Sequence, residues 1–332
     1  VTAEQVDHPA QIDLEILLIL RVPVVRRHGV IVAQAEMVRG RSGTLATMSD
    51  ENPSTVNPPT WSAEDRFSPR PVLGALLYDE PPTVEAVIGA VTTIPGADEL
   101  GITASPVEGE DGIIDVRLGK FGISALLTVI DAPVPGSEAV DNAHQLYCQG
   151  EERERVAAHA GQVLVAVRPE IEERTADQVR DLPGRQQQLV FSRVHGLMVV
   201  ALTRMPGIAG YYSGDAAATF GTTFLHQVAA GEFGATPWPL WVSAWLQPGP
   251  TGVSGYTYGL WALGHPELQV ENSTMPPEDL FLYLMDVAAY LVLDGGSFAD
   301  GETTGRSERE RFTIHADAWV VDQSVPAFRI DM

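Results

Sequence analysis

The sequence predicts an α+β fold: mixed or antiparallel sheets with helices packed on one face. Three observations carry that expectation. From Val72 to Asp131 the patterns run strand, helix, strand, strand, strand. From Pro239 to Leu263 two strand-like runs are joined by a short proline- and glycine-rich loop, as in an antiparallel hairpin. That hairpin precedes one long amphipathic helix and a tail that reads as two short strands. Segregated strands and helices of this kind point to layers rather than to an alternating parallel fold.

In chain order, VLGALLY (from Val72) is a continuous apolar run, as expected of a buried strand. Thr83 to Val91 follows Pro81-Pro82 and repeats Val84, Val87, Ile88 and Val91 at helical spacing. ITASPVE carries Pro106, which suits an edge strand. GIIDVRLGKFGISALLTVID gives two strands turning at Leu118-Gly119-Lys120-Phe121. Glu151 to His159 reads as a charged helix and QVLVAVR as a buried strand. Gln186 to Leu202 is a second long helix, with Val190, Val194, Leu197, Met198 and Ala201 on one face. GIAGYYS gives another short strand and Thr222 to Ala230 another helix.

The last third is the best specified. PLWVSAWLQ (Pro239 to Gln247) alternates: Leu240, Val242, Ala244 and Leu246 on one side, Trp241, Ser243 and Trp245 on the other. Gly255 to Leu263 returns as its partner, and a short strand follows. Met275 and Pro276 each precede a proline and should stay out of the helix, leaving Pro277 as its first residue. Glu278 and Asp279 favour the positive end of the helix dipole. Leu280, Leu284, Val287 and Leu291 make an apolar stripe widened by Phe281, Ala288 and Val292, and Asp294-Gly295-Gly296 ends it. The last strands are FTIHADAWVV and AFRID.

Tyr258-Gly259-Leu260, the turn Leu263-Gly264-His265-Pro266-Glu267-Leu268, the helix, and Asp300-Gly301-Glu302-Thr303 together resemble a bacterial family, the domain of unknown function 4261. The likeness covers residues 255–305, and the pattern upstream is compatible with longer members. It implies an α+β fold and no activity.

A repeated order of strand, paired prolines and helix (Tyr78–Val91 and Ser273–Val287) leaves open two related lobes. The expected organisation is an N-terminal lobe over residues 71–235, a C-terminal, family-like lobe over residues 236–332, and a lead over residues 1–70 that is disordered or mis-annotated. Val1 would fit a GTG start codon. The polar, proline-rich stretch from Met48 suggests that translation begins near that methionine. LEILLILRVPVV (from Leu14) is interrupted by Arg21 and Pro23 and is too short to span a bilayer, and its acidic flank is unlike a signal peptide.

Composition excludes more than it identifies. A net charge of −23 over 332 residues argues against nucleic acid and anionic membranes as partners and would suit solubility or a basic protein partner. One cysteine, Cys148, precludes an intramolecular disulfide and fits a cytoplasmic setting. A single lysine, Lys120, tells against Walker-type hydrolysis, protein-kinase chemistry and Schiff-base catalysis. No cofactor and no metal are expected.

The candidate sites each have an ordinary structural explanation. Gly207–Gly221 (GIAGYYSGDAAATFG) is a glycine-rich strand-to-helix junction in which Gly210, Gly214 and Asp215 could bind an anion or small ligand, although it lacks a P-loop lysine. Ser213 stands one position late for a nucleophile elbow. His144 and Cys148 share helical spacing but have no second ligand pair. His265 with Glu267, and His315 with Asp317, could supply four ligands if their strands were neighbours. Asp300 and Glu302 are a carboxylate pair within a turn-like ADGETTG, and Asp286 sits between Tyr283 and Tyr290 on the long helix. Two functions follow. The first is a non-catalytic interaction protein of the immunity or accessory type, presenting an acidic surface. The alternative is a hydrolase or ligand-binding enzyme assembled from Ser213, His265 and Glu302.

Overall fold

The computed structural model describes residues 67–143, 146–169, 175–307 and 310–332. The expected start near Met48, the polar lead before Phe67 and the ligand candidate His144 lie outside the described residues.

The apolar run at Val72 becomes β1 (Val72–Tyr78), the strand around which the first half is built. Six more strands join it: β2 (Ile102–Pro106), β3 (Ile113–Leu118), β4 (Ile123–Ile130), β5 (Gly161–Val167), β6 (Ile208–Ser213) and β7 (Ala218–Phe220). They form one sheet in the order β2-β3-β4-β5-β1-β6-β7, with every neighbouring pair antiparallel. Five helices accompany these strands: α1 (Val84–Thr92), α2 (Ala97–Leu100), α3 (Glu138–Asp141), α4 (Glu151–Ala158) and α5 (Asp177–Arg180). A long sixth, α6, spans Gly184–Leu202.

β1 is apolar throughout because helices cover both of its faces. Leu76 and Tyr78 point into the cluster that includes Val87 and Val91 of α1 and Val194 and Met198 of α6. Ala75 and Leu77 point the other way, to Ala139 of α3, to Cys148 ahead of α4 and to Val156 of α4. The expectation of helices on one face is therefore corrected for this sheet. A strand buried on both sides cannot alternate, and only Leu73 emerges, at 48% exposure. α1 starts where Thr83 accepts a hydrogen bond from the Ala86 amide at 3.2 Å, an ordinary N-cap.

The second sheet contains β8 (Ser243–Pro248), β9 (Val253–Tyr258), β10 (Glu267–Ser273), β11 (Thr303–Ser307), β12 (Glu310–Ala318) and β13 (Pro326–Asp331). Its order is β11-β12-β13-β10-β9-β8; β10 and β13 run parallel and the other pairs antiparallel. Two helices complete the chain: α7 (Thr222–Ala229) between the sheets in sequence, and α8 (Pro277–Leu293) on the second. α8 begins at Pro277 and stops before Asp294, with Pro276 extended at ψ 141°. Its buried side chains include Leu280, Leu284, Val287, Ala288, Leu291 and Val292. Each large one buried is worth ~1.5–3 kcal/mol. A Cβ on Gly255 would stand 2.7 Å from Leu284 Cδ1, so the missing side chain lets α8 lie close upon β9.

One buried cluster runs through both halves, from Val72 to Ile330. Tyr147 helps to join them: its hydroxyl accepts from the Ala244 amide of β8 at 3.1 Å, and its ring meets Phe220, Phe224 and Phe281 at 4.9, 5.1 and 5.8 Å. Ser243 Oγ donates to the Ala216 carbonyl across the same junction, at 2.5 Å.

The repeated proline pattern has a topological counterpart. β1, Pro81-Pro82, α1 and the meander β2-β3-β4 match β10, Pro276-Pro277, α8 and the meander β11-β12-β13 in order. β13 lies beside β10 and parallel to it. β4 is also parallel to β1, each being antiparallel to β5, which stands between them.

Several boundaries differ from the sequence expectation. Pro239–Gln247 does not begin as a strand: Trp238–Leu240 is a short 3-10 turn, and extended pairing starts at Ser243. Pro237 and Pro239 withhold amide donors from a ladder there. The return strand ends at Tyr258, and Trp261–Leu263 forms a second 3-10 turn. α6 starts two residues before Gln186, and the loop-like Glu302–Gly305 region contributes β11. Gly207–Gly221 is not a strand-to-helix junction; it is the β6–β7 hairpin, turning over Gly214–Ala217. No helix among the described residues is long and apolar enough to cross a membrane.

Candidate functional site

The three residues proposed for an assembled hydrolytic site stand apart. Ser213 is buried at the end of β6, where its Oγ accepts from the Ala216 amide at 3.4 Å and braces the hairpin turn. His265 lies in the turn before β10, in the other sheet. Glu302 precedes β11 and accepts from the Ala299 amide at 2.8 Å. Two strands separate β11 from β10, a spacing of ~14 Å at the usual inter-strand distance.

Gly210, Gly214 and Asp215 belong to the same hairpin, with Gly214 and Asp215 exposed in its turn. The start of the helix beyond it is already in use. Glu152 of α4 accepts from Thr223 N at 2.7 Å and from Thr222 Oγ1 at 2.9 Å, so a carboxylate of the chain itself occupies the start of α7.

The two His-x-acid pairs do not converge, because β13 lies between β10 and β12. Among the described residues no group of three or more His, Cys, Asp and Glu side chains is placed to hold a metal ion. Glu267 is wholly occupied at the foot of β10. Its Oε1 accepts from the Gly259 and Trp261 amides at 3.0 and 2.9 Å, and its Oε2 from Thr257 Oγ1 at 2.7 Å. Burial pushes this carboxyl up to about 7 against those hydrogen bonds. His265 is held down to about 3, first by burial and then by the charge of Arg185. It is a neutral core histidine, as is His195 of α6, which burial lowers to about 4 despite a weak approach of the Val165 backbone. Asp300 accepts from the Ala316 amide at 2.9 Å, and Asp286 stands on the exposed side of α8. Cys148 is buried, and burial raises its thiol to about 11, far from a reactive thiolate.

Two surfaces remain. On the outer face of the first sheet, a shallow depression of about 200 Å³ is lined by Asp115, Arg117, Ser124, Leu126, Ala166 and Arg168. Arg117 is paired with Asp115 at 2.6 Å in a half-open setting, where such a pair is worth ~1 kcal/mol at most. None of Ser213, His265 and Glu302 reaches this depression.

The outer face of the second sheet, opposite α8, is aromatic. Gly255 and Thr257 turn inward, so Tyr256 and Tyr258 turn outward, and Trp245 faces Tyr256 across the β8–β9 ladder. Ring centroids lie at 5.9 Å for Tyr256–Tyr258, 6.2 Å for Trp245–Tyr258 and 4.8 Å for Tyr258–Trp319. The segment from Trp319 to Val325 folds over one end of this face. It is anchored by Gln269, which donates to the Ala318 carbonyl at 3.1 Å and accepts from the Val320 amide at 2.7 Å. Val320 and Val321 protrude beside it, 53% and 46% exposed. The alternation Tyr256-x-Tyr258 against Trp245 could have revealed this strip in the sequence. The bridging role of Tyr147 and the capping role of Glu152 had no local signal, since each acts on a distant element.

Residues 256–331 match a family described as a domain of unknown function (DUF4261). The match runs from within β9 to the last residue of β13, and it is the family that the turn and helix motifs resemble. No curated protein and no solved structure matches the chain.

Proposed function

We propose that the protein is a non-catalytic interaction module of the immunity or accessory type, acting in the cytoplasm of a bacterium and engaging a basic protein partner. The observation that carries this reading is the fate of the candidate chemical groups. Ser213, His265 and Glu302 occupy separate elements, and Ser213, Glu267 and Glu302 are each engaged by local backbone amides. The net charge of −23 supports the choice of partner, since such a surface steers basic proteins and repels nucleic acid. The alternative, a hydrolase or ligand-binding enzyme built from loop residues, has less support because its three residues do not meet. The test is salt-dependent capture by the immobilised chain. Recovery of one basic protein at 50 mM salt that fades by 300 mM is the expected result; turnover of a hydrolytic reporter abolished by Ser213→Ala would overturn it.

A further inference from the structure

We infer that the outer aromatic face of the second sheet is the docking surface, and that it takes an arginine-rich segment of the partner. This rests on the interaction-module reading and assigns it a place on the molecule. Tyr256, Tyr258 and Trp245 are half-buried, so each ring keeps part of its surface open while its position is fixed by neighbours. A face of this kind offers π surfaces at little entropic cost on binding, and guanidinium groups stack on such rings better than ammonium groups do.

Charge around the strip selects the same partner. Glu271 follows Gln269 on β10 and is exposed, and Asp322 is exposed in the covering loop. Farther across the same face, on β12 and β13, Asp317 and Asp331 pair with Arg329 at 3.1 and 2.6 Å. Asp300 and Asp331 lie 3.6 and 3.3 Å from the two ring nitrogens of His315. Five carboxylates thus stand on or beside the face against two guanidinium groups: Arg329, already shared between two of them, and Arg311, exposed on β12. Val320 and Val321 give an apolar shoulder at the end of the strip. The outer face of the first sheet lacks these features: its depression contains Arg117 and Arg168 and has no aromatic lining.

The probe is a labelled octa-arginine peptide, titrated by fluorescence anisotropy into the full chain at 150 mM salt, with octa-lysine in parallel. The arginine peptide should bind more tightly than the lysine peptide. The double variant Glu271→Lys/Asp322→Lys should weaken arginine binding about tenfold or more, equivalent to ~1.4 kcal/mol. The double variant Glu85→Lys/Asp98→Lys alters the same number of exposed charges on the first half and should leave binding within about twofold. Tyr256→Ala, checked for an unchanged melting curve, should reduce the preference for arginine over lysine. Equal weakening by both charge variants, or loss in the control alone, would overturn this surface and leave the acidic-module reading standing. Absence of binding by either peptide even at 20 mM salt would overturn both.

Discussion

The two halves follow the same course and finish it differently. In each, a central strand leads through paired prolines to a helix and then to a three-strand meander that returns parallel to the start. In the first half β5 is inserted beside β1, and helices seal both faces of that central strand. In the second half β10 pairs directly with β13, a 17-residue helix seals one face, and the other is left to aromatic rings and a folded-over loop. One connectivity can thus be completed by helices, which seal both faces of the central strand β1, or by side chains, which leave one face beside β10 half open. The half-open face is where the proposed partner would dock.

The comparison breaks most severely at the foot of β10, which rests on a buried carboxylate with no counterpart under β1. Glu267→Ala would strand the Thr257 hydroxyl and the Gly259 and Trp261 amides, costing about 3 kcal/mol or more in urea denaturation. Glu267→Gln retains an acceptor for the amides and should cost ~1–2 kcal/mol. Equal losses would show that the hydrogen bonds are not what holds the turn.

Next in size is the contrast between sealed and open positions. Leu284, fully buried between α8 and Gly255, should cost ~2–5 kcal/mol on truncation to Ala. Leu73→Ala, at the exposed end of β1, should cost under ~0.5 kcal/mol by the same measurement. A large loss at Leu73 would mean that this part of the first sheet is covered in solution.

Acidity separates the buried groups: a histidine in each half titrates in one sense, and the carboxyl at the foot of β10 in the other. His195 and His265 are lowered to about 4 and about 3, so below about 6.5 the unfolded chain binds protons that the native one does not. Stability should therefore fall as pH drops from about 6.5 towards 4. Glu267 is raised to about 7, so between its ordinary value near 4.5 and that point the native state holds a proton the unfolded chain has lost. Its contribution is present at low pH and is lost as pH rises through about 7. Glu267→Gln removes this second slope alone. The stability advantage of the wild type over the variant should shrink between pH 4.5 and 7 and level off above, and parallel curves would refute the assignment.

A smaller effect than at Glu267 or Leu284 is expected at the helix joining the halves in sequence. Glu152→Ala removes the carboxylate from Thr222 and Thr223 and should cost ~1 kcal/mol, read from the midpoint of thermal unfolding. No change would place the start of α7 outside the stabilised core.

How much of this was legible in the sequence depended on how local each cause was. Pro277 and Asp294 bound α8 through backbone geometry that any neighbour would leave unchanged, and both ends fall where expected. VLGALLY announced a buried strand because burial on both faces removes alternation. The failures share the opposite property. Pro239–Leu240 alternates correctly yet cannot pair, because Pro237 and Pro239 interrupt the donors. Gly207–Gly221 resembled a strand-to-helix junction because β7, the partner of β6, is only three residues long. Glu267 looked like half of a ligand pair, whereas its acceptors are used by amides that reach it only once the Gly259–Trp261 turn has formed. For the candidate site, residue types were visible and distances were not.

The central claim is that both sheets stand on one core, joined through α6, Tyr147 and Ser243. Native-state hydrogen exchange on Leu284→Ala tests it directly, since that change touches the second sheet alone. The slowest amides of β1 and β5 should lose protection by the same free energy as those of β10. Loss confined to the strands after Ser243, with β1 and β5 unchanged, would contradict it.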